Sequence, residues 1–340
     1  MADKTMNPPV QTVTADDVAA EAGVSRWTVN RAFRQNASIS EESRKRVTEA
    51  AEKLGYVPDL AASSLRSNNS RIVSLLIDDF ANPHKLVMLE RLTKALRKAG
   101  WDTFLVNMLD EDDAPGALLS ASQRRVDAAV VIGSRFNEEV LETALGAKRV
   151  RKLVTFARMS RNPKAVSICC DDEAAMREIA DYVLKKKFSR PMFLAGPQSD
   201  SAHLLRKETF MAEWERKTGN RPEVATAGVY DAKQSFVTVA SALSNRPASE
   251  LPDVIVCEND ALAIGAIDAI KHQLGLSIPK DIAVTGFDDI PAADSPNYQL
   301  TTYRQPMSDM AESLVAFLRD ETDGTGLNRF EGKLIVRKSA

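Results

Sequence analysis

Two spacings of apolar residues divide the chain. Between residues 14 and 54 apolar positions recur every three or four residues, the signature of short amphipathic helices. From residue 71 they gather instead into short runs separated by longer amphipathic stretches. In the first segment Thr14 is placed to cap a helix, with Asp17 three residues on in a variant of the capping box. Val18, Ala19 and Ala22 then make a narrow apolar stripe, Gly23 stops the helix, and Val24 is the apolar residue of the turn. Ser25 is suited to cap a second helix over 26–33, with Val29, Ala32 and Phe33 facing inward. Ser40 does the same for a third over 41–54, with Val47, Ala50, Ala51 and Leu54 inside and Gly55 at its end. Two short helices joined by a glycine-containing turn form a helix-turn-helix unit.

The apolar runs at 72–77, 103–106, 128–132, 153–156, 192–195, 254–257 and 282–285 read as buried parallel strands. Amphipathic stretches such as 86–99, 174–184 and 262–274 lie between them. Alternating strands and helices imply doubly wound parallel sheets. The expected fold is therefore an α/β core preceded by an all-α helix-turn-helix domain. Ligands of such sheets sit beyond the carboxyl ends of the strands. The polar residues falling there are Asp78 to His84 after the first strand, Gly196 to Ser199 followed by Arg206, Glu258-Asn259-Asp260, and Gly286-Phe287-Asp288-Asp289.

Length and charge refine this picture. The chain's 340 residues exceed one compact core, and 44% hydrophobic with 27% charged residues fits a soluble globular protein. A net charge of −2 excludes an overall basic coat, yet residues 23–46 hold six cations against two anions. Arg26, Trp27, Asn30, Arg31 and Arg34 cannot all face inward. Arginine suits guanine in the major groove and asparagine suits adenine, while capping residues and helix N-termini suit phosphates. The candidate DNA contacts here are Thr14, Ser25, Arg26, Trp27, Thr28, Asn30, Arg31 and Arg34. No run approaches membrane-spanning length, and the N-terminal residues lack the apolar core of a secretory signal, so a cytoplasmic location is expected.

Cys169, Cys170 and Cys257 fit a reducing compartment, with the adjacent pair read as a buried strand running into a polar turn and not as a metal site. No nucleophile elbow, phosphate loop or dinucleotide fingerprint occurs. His84, His203 and His272 are scattered; His84 is the one expected near the cleft, and His272 is expected on a helix surface. An enzyme is therefore not expected, and neither a cofactor nor a metal.

The segment from Val13 through Val18-Ala19, Ala22-Gly23-Val24-Ser25 and Thr28-Val29-Asn30-Arg31 resembles the signature of LacI/GalR-type repressors, and Leu54-Gly55-Tyr56-Val57-Pro58 matches the end of that family's third helix. The similarity continues over nearly the whole chain. It implies a helix-turn-helix domain at 11–57, a hinge helix and linker at 58–70, and an effector-binding and dimerisation core at 71–340. The core would have two lobes like periplasmic sugar-binding proteins, about 71–170 plus 304–329 and about 171–303 plus 330–340, joined by three crossovers. The resemblance further implies a homodimer on palindromic operator DNA, with the surface near 86–96 in the dimer interface. Within the hinge, Leu65 matches a leucine that wedges between base pairs in the minor groove. In the cleft, Arg206, Asn259 and Asp288 match positions that hydrogen-bond the effector. Asp79, His84 and Arg158 complete the candidate ligand set, and Asp260 is read as a helix cap.

The departures from the family pattern also carry information. Arg26-Trp27 occupies the pair that discriminates between operators, and Asn30 replaces the usual serine. His84 stands where Asn-Pro-Phe is usual, Lys187-Phe188 replaces a frequent Gly-His, and Glu208-Thr209 replaces a small pair. Arg158 falls where others carry a carboxylate. With Arg206 and Arg158 inward, the effector is expected to be a sugar, sugar acid or sugar phosphate. The alternatives are a regulator controlled by a protein partner and a solute-binding protein without a regulatory role.

Overall fold

A computed structural model describes residues 13–33, 37–58, 69–108, 113–133, 139, 141–143, 150–162, 165–197, 205–322 and 326–340. The chain forms two compact units, Met1–Ser70 and Arg71–Ala340.

The first unit contains α1 (Ala15–Ala22), α2 (Arg26–Ala32) and α3 (Glu41–Leu54). The capping box at the start of α1 is complete: Asp17 N–H donates to Thr14 Oγ1 and Thr14 N–H donates to the Asp17 carboxylate at 2.8 Å. Gly23 and Gly55 end α1 and α3 in the left-handed conformation that glycine adopts without steric cost. Val18, Val29 and Val47, one from each helix, are completely buried and form the centre of a small core with Ala19, Ala32, Ala50 and Ala51. Burying each valine contributes about 1.5–3 kcal/mol, which a three-helix unit of this size needs. Phe33 departs from expectation. It lies beyond the end of α2, 39% exposed, with its ring against Tyr56 at 5.7 Å. Arg44 is structural, donating to the carbonyls of Ala32 and Ala37, and Arg46 donates to Gly23 O, so part of the local positive charge secures the unit itself.

The second unit holds two six-stranded sheets. In the first, β1 (Ile72–Ile77), β2 (Asp102–Asn107), β3 (Ala128–Ile132), β4 (Lys152–Phe156), β5 (Val166–Cys170) and β11 (Leu327–Phe330) lie in the order β11-β5-β4-β3-β1-β2, all parallel. In the second, β6 (Pro191–Ala195), β7 (Glu223–Thr226), β8 (Val254–Cys257), β9 (Ala283–Phe287), β10 (Thr301–Arg304) and β12 (Lys333–Ile335) lie in the order β12-β10-β9-β8-β6-β7, with β12 antiparallel at the edge. The winding reverses at β1/β3 in one lobe and at β6/β8 in the other. Each reversal opens a crevice at the carboxyl ends. Helices α4 (His84–Lys98), α5 (Ala114–Gln123) and α10 (Met307–Leu318) belong to the first lobe. Helices α6 (Asp172–Lys185), α7 (Arg206–Thr218), α8 (Ala232–Leu243) and α9 (Asp260–Asp268) belong to the second. The chain passes between lobes three times, after β5, after β10 and after β11.

Several boundaries differ from the sequence reading. Strand β9 runs two residues further than 282–285, so Gly286 and Phe287 are inside the strand and Asp288 immediately follows it. The helix expected over 262–274 begins at Asp260 and gives way to a π-helical turn at Ala269–Gln273, where His272 is exposed. Strands β7, β10, β11 and β12 have no counterpart in the apolar pattern. Three of them lie at or next to a sheet edge with polar, partly exposed residues, and β10 is rich in threonine. Cys169 and Cys170 end the buried strand β5, and burial pushes the Cys169 thiol up to about 12. Among the described residues no helix is long and apolar enough to cross a membrane, and no group of three metal-ligating side chains occurs.

Candidate functional site

On the first unit the solvent face of α2 carries the candidate nucleic-acid contacts. Ser25 caps α2, its Oγ accepting from Thr28 N–H at 3.2 Å and lying 3.0 Å from Thr28 Oγ1. Trp27 is 65% exposed, a large apolar ring presented to water. The Arg31 guanidinium lies over it at 4.3 Å from the ring centre, one turn further along the helix. Asn30 is half-buried beside them. Arg26 bonds the exposed Asp16 at 3.0 Å, a surface pair that DNA can displace at little cost. Thr14 is held by Asp17 through its hydroxyl and backbone N–H. Arg34 and Leu65 lie outside the described residues.

On the second unit the carboxyl ends of strands from both lobes converge on one cleft. Its lining includes Asp79, His84, Arg158, Arg206, Asn259 and Asp288, so the candidate residues named from sequence come together. Backbone geometry marks the same place. Asp79, Ala157, Asp288 and Asp289 all have positive φ, between 52° and 115°, a conformation that costs non-glycine residues energy and clusters at binding sites. Gly133 also lines the cleft, and a Cβ there would collide with the Asp78 carboxylate.

Arg206 is the centre of the charge network. Its Nε donates to Asp172 Oδ1 at 2.9 Å, its Nη1 donates to the Glu258 carbonyl at 2.9 Å, and its guanidinium stacks on Phe287 at 3.6 Å from the ring centre. Asp288 Oδ1 is 3.9 Å from Nη1. Burial works against the charge, but Asp172 and Asp288 outweigh it and hold the guanidinium firmly protonated. Burial raises Asp172 despite that partner, and raises Glu258 although Gly196 N–H donates to it. Burial beside Glu258 also keeps the Tyr230 hydroxyl protonated.

From the first lobe, Arg158 Nη1 donates to Gly133 O at 2.8 Å and Lys85 faces Asp78 at 3.6 Å. His84 is the first residue of α4 and 1% exposed; burial lowers its pKa, with Asp288 opposing. Gln305, in the crossover after β10, donates from Nε2 to Asp288 Oδ1 at 2.7 Å and lies 3.3 Å from His84 Nε2.

One expectation needs correction. The cap of α9 is Asn259, whose Oδ1 accepts from Leu262 N–H at 3.0 Å. Asp260 is instead fully buried, accepting from Ile290 N–H at 2.9 Å and Thr302 Oγ1–H at 2.6 Å. Asn259 still lines the cleft, and its cap bond leaves the amide N–H groups for a ligand. Arg206, expected to face the cleft as a cation, does so with Asp172 and Asp288 beside it. Sequence reasoning did not find Asp172, Tyr230 or Gln305. Asp172 falls in what was read as the polar turn after the Cys169-Cys170 strand, Gln305 follows β10, which the apolar pattern did not delimit, and Tyr230 lies in a loop with no motif.

The arrangement offers carboxylate, amide, guanidinium and imidazole groups in a cavity of about 60 Å³, far below the few hundred Å³ of sites that enclose a small organic ligand.

Comparison with known proteins adds to this geometry. Residues 14–59 match the model of bacterial regulatory proteins, lacI family, and residues 180–340 match a periplasmic binding protein-like domain. The chain is 27% identical to the sucrose operon repressor of Escherichia coli over 329 residues, 95% of this chain and 98% of that one. It is 27% identical to the regulator MalR of Streptomyces coelicolor, covering 95% of each chain, and 23% identical to the repressor CytR of Escherichia coli, covering 96% of each. Among solved structures, the lac repressor dimer bound to operator and an anti-inducer superposes with a TM-score of 0.84 at 23% identity, covering 97% of this chain and 99% of that one. The regulator CelR in complex with cellobiose superposes with a TM-score of 0.68 at 22% identity, covering 96% of this chain and all of that one.

Proposed function

The chain belongs to the LacI family of bacterial regulatory proteins and is a DNA-binding transcriptional regulator, not an enzyme; from this premise we propose that it represses a palindromic operator as a homodimer and is controlled by a small polyhydroxylated molecule in its cleft. The relatives named above are repressors or regulators, two of them of sucrose and cellobiose systems by name or bound ligand, which supports a sugar-type effector. In the DNA half, α2 lies in the major groove, with Arg26, Trp27, Asn30 and Arg31 reading base edges and the capped helix start at Ser25 and Thr28 meeting phosphate. A dimer brings two such helices to the two half-sites of a symmetric operator.

The observation that carries the effector half is the convergence of Asp79 and Arg158 from one lobe with Arg206, Asn259 and Asp288 from the other. Hydroxyls both donate and accept, and this set offers them both partners. The cavity of about 60 Å³ requires the lobes to part for entry and to close again, a hinge movement about the three crossovers. Closure on a ligand alters DNA affinity only through a difference in ligand affinity between the two conformations.

Thermal denaturation of the full-length protein with glucose, sucrose, maltose, cellobiose, glucuronate and glucose 6-phosphate tests the effector reading. A binder raises the melting temperature in proportion to the logarithm of its concentration. Operator titration with and without that compound then gives the sign of control. An unchanged DNA affinity would reject small-molecule control.

A further inference from the structure

Two buried atoms in the cleft stand out. Among the described residues, His84 Nδ1 and Gln305 Oε1 have no hydrogen-bond partner, although both side chains line the cavity and are no more than 4% exposed. Buried polar atoms in native proteins are nearly always satisfied, so a pair left open on a cleft points to something that completes it.

The surrounding contacts assign their protons. Gln305 Nε2 is 2.7 Å from Asp288 Oδ1, and a carboxylate accepts, so the amide nitrogen faces Asp288 and Oε1 points elsewhere. The second N–H of the same amide lies 3.3 Å from His84 Nε2. A primary amide nitrogen does not accept, so His84 Nε2 is the acceptor and the neutral ring carries its hydrogen on Nδ1. Burial favours that neutral form, and so do Arg206 and Lys85, against Asp288. His84 thus offers a donor and Gln305 an acceptor.

We propose that His84 Nδ1–H and Gln305 Oε1 form a subsite that reads one hydroxyl of an uncharged polyol, His84 being a specificity-determining residue of this chain. The inference rests on the effector reading of the cleft given above. A hydroxyl accepts from His84 and donates to Gln305, satisfying both atoms. A carboxylate or phosphate oxygen accepts only, and would set a second acceptor against Gln305 Oε1. An ammonium donates only, and would leave His84 Nδ1–H unmet. Arg206, one of the two cleft arginines that could draw an anion, is already paired with Asp172 and Asp288. The resemblance places phenylalanine at the position of His84 in the family's usual pattern, so a donor there is a property of this chain.

The test uses full-length protein with nitrogen-15-labelled histidine. Its three histidines are assigned with His84→Asn, and spectra are taken with the sugar panel above. Before ligand is added, His84 is expected as the neutral Nδ1–H tautomer; an Nε2–H tautomer or an imidazolium overturns the proposal at once. A neutral sugar that raises the melting temperature is expected to shift the Nδ1 signal. His84→Phe is expected to weaken that sugar about tenfold or more, while His84→Asn, whose amide nitrogen mimics Nδ1, stays within a few-fold. The melting temperature of each variant without ligand reports whether it folds. If glucuronate or glucose 6-phosphate binds better than its neutral counterpart, or if a sugar binds while the Nδ1 signal stays put, the subsite is wrong and the effector reading survives. If no compound raises the melting temperature, both are rejected.

Discussion

The Arg31 guanidinium rests 4.3 Å from the centre of the Trp27 ring, one turn apart on the exposed face of the second helix. An exposed cation–π pair contributes about 0.5–1 kcal/mol. Its larger effect is to restrict where a long side chain points before it meets DNA, which lowers the ordering cost on binding. Trp27→Ala should therefore weaken specific operator binding by more than that amount and broaden base preference at the position Arg31 reads. Trp27→Tyr should retain most of both. Selection of binding sites from a randomised pool checks it: a preference unchanged by Trp27→Ala would show that the ring does not orient Arg31.

Arg26 stands differently, tied to Asp16 at 3.0 Å on an exposed surface. If it reads a guanine, Arg26→Ala costs about 1–3 kcal/mol and relaxes one base position. Asp16→Asn, which frees Arg26, should leave specificity intact and raise affinity slightly at low salt. Titrations against operator variants at several salt concentrations distinguish these outcomes. A loss spread evenly over all sequences would instead make Arg26 a phosphate contact.

Removing Arg206 should damage stability as well as binding. Arg206→Ala leaves Asp172 and Asp288 buried without their cation, and breaking a buried pair from one side costs about 3–5 kcal/mol. The companion change Asp172→Asn should be milder, because burial already raises the Asp172 pKa. Urea denaturation of both variants measures the difference. Equal losses would mean that the network is not centred on Arg206.

Asn259 caps α9 and, in the effector reading proposed above, also contacts the ligand; substitution can separate the two. Asn259→Ala removes the cap bond to Leu262 N–H and should cost about 0.5–2 kcal/mol together with effector affinity. Asn259→Ser keeps an oxygen for the cap and should restore stability without restoring affinity. Denaturation and ligand titration on the same variants test this, and recovery of both by serine would assign Asn259 a purely structural role.

His84 gives stability a pH dependence of definite sign. Its pKa in the folded protein lies below the ordinary 6.5 because the ring is buried, with Arg206 and Lys85 adding to the effect and Asp288 opposing it. Well above pH 6.5 neither state binds the proton and the group is silent. As pH falls below 6.5 the unfolded chain takes up a proton that the folded one refuses, so stability declines toward the folded pKa, at a limiting slope of about 1.4 kcal/mol per pH unit. Asp172, Glu258 and Asp260, all raised by burial, pull the other way. The difference between the parent and His84→Gln removes their contribution. That difference should shrink from about pH 7.5 to about pH 5.5 in urea titrations, and a constant difference would mean that His84 titrates normally.

How far the sequence could be read depended on where each residue's job is recorded. The helix-turn-helix was legible because its caps, Thr14 and Ser25, and its stop, Gly23, act through local backbone geometry. The central strands were legible because both faces are buried and their residues are uniformly apolar. Strands β7, β11 and β12 lie at sheet edges and take polar residues, so they gave no signal; the resemblance placed a crossover near residue 304, but nothing in the local pattern singled out Gln305. The swap between Asn259 and Asp260 has the same origin. Either residue can cap a helix, and only the packing of Thr302 and Ile290 around Asp260 decides which one does. Asp172 was invisible for a further reason: its partner Arg206 is distant in sequence, and ion pairs leave no local pattern.

The three crossovers have a consequence for how the protein is made. The first sheet is completed by β11 and the second by β10 and β12, all drawn from residues 301–335. Helix α10 of the first lobe comes from the same stretch. Neither lobe can therefore reach its full set of strands during synthesis until this segment has emerged from the ribosome, and the two lobes then finish together. During that interval β5 and β9 present open edges that β11 and β10 later cover. This is the period in which the nascent chain is most exposed to mispairing with its neighbours, and in which a chaperone has most to protect.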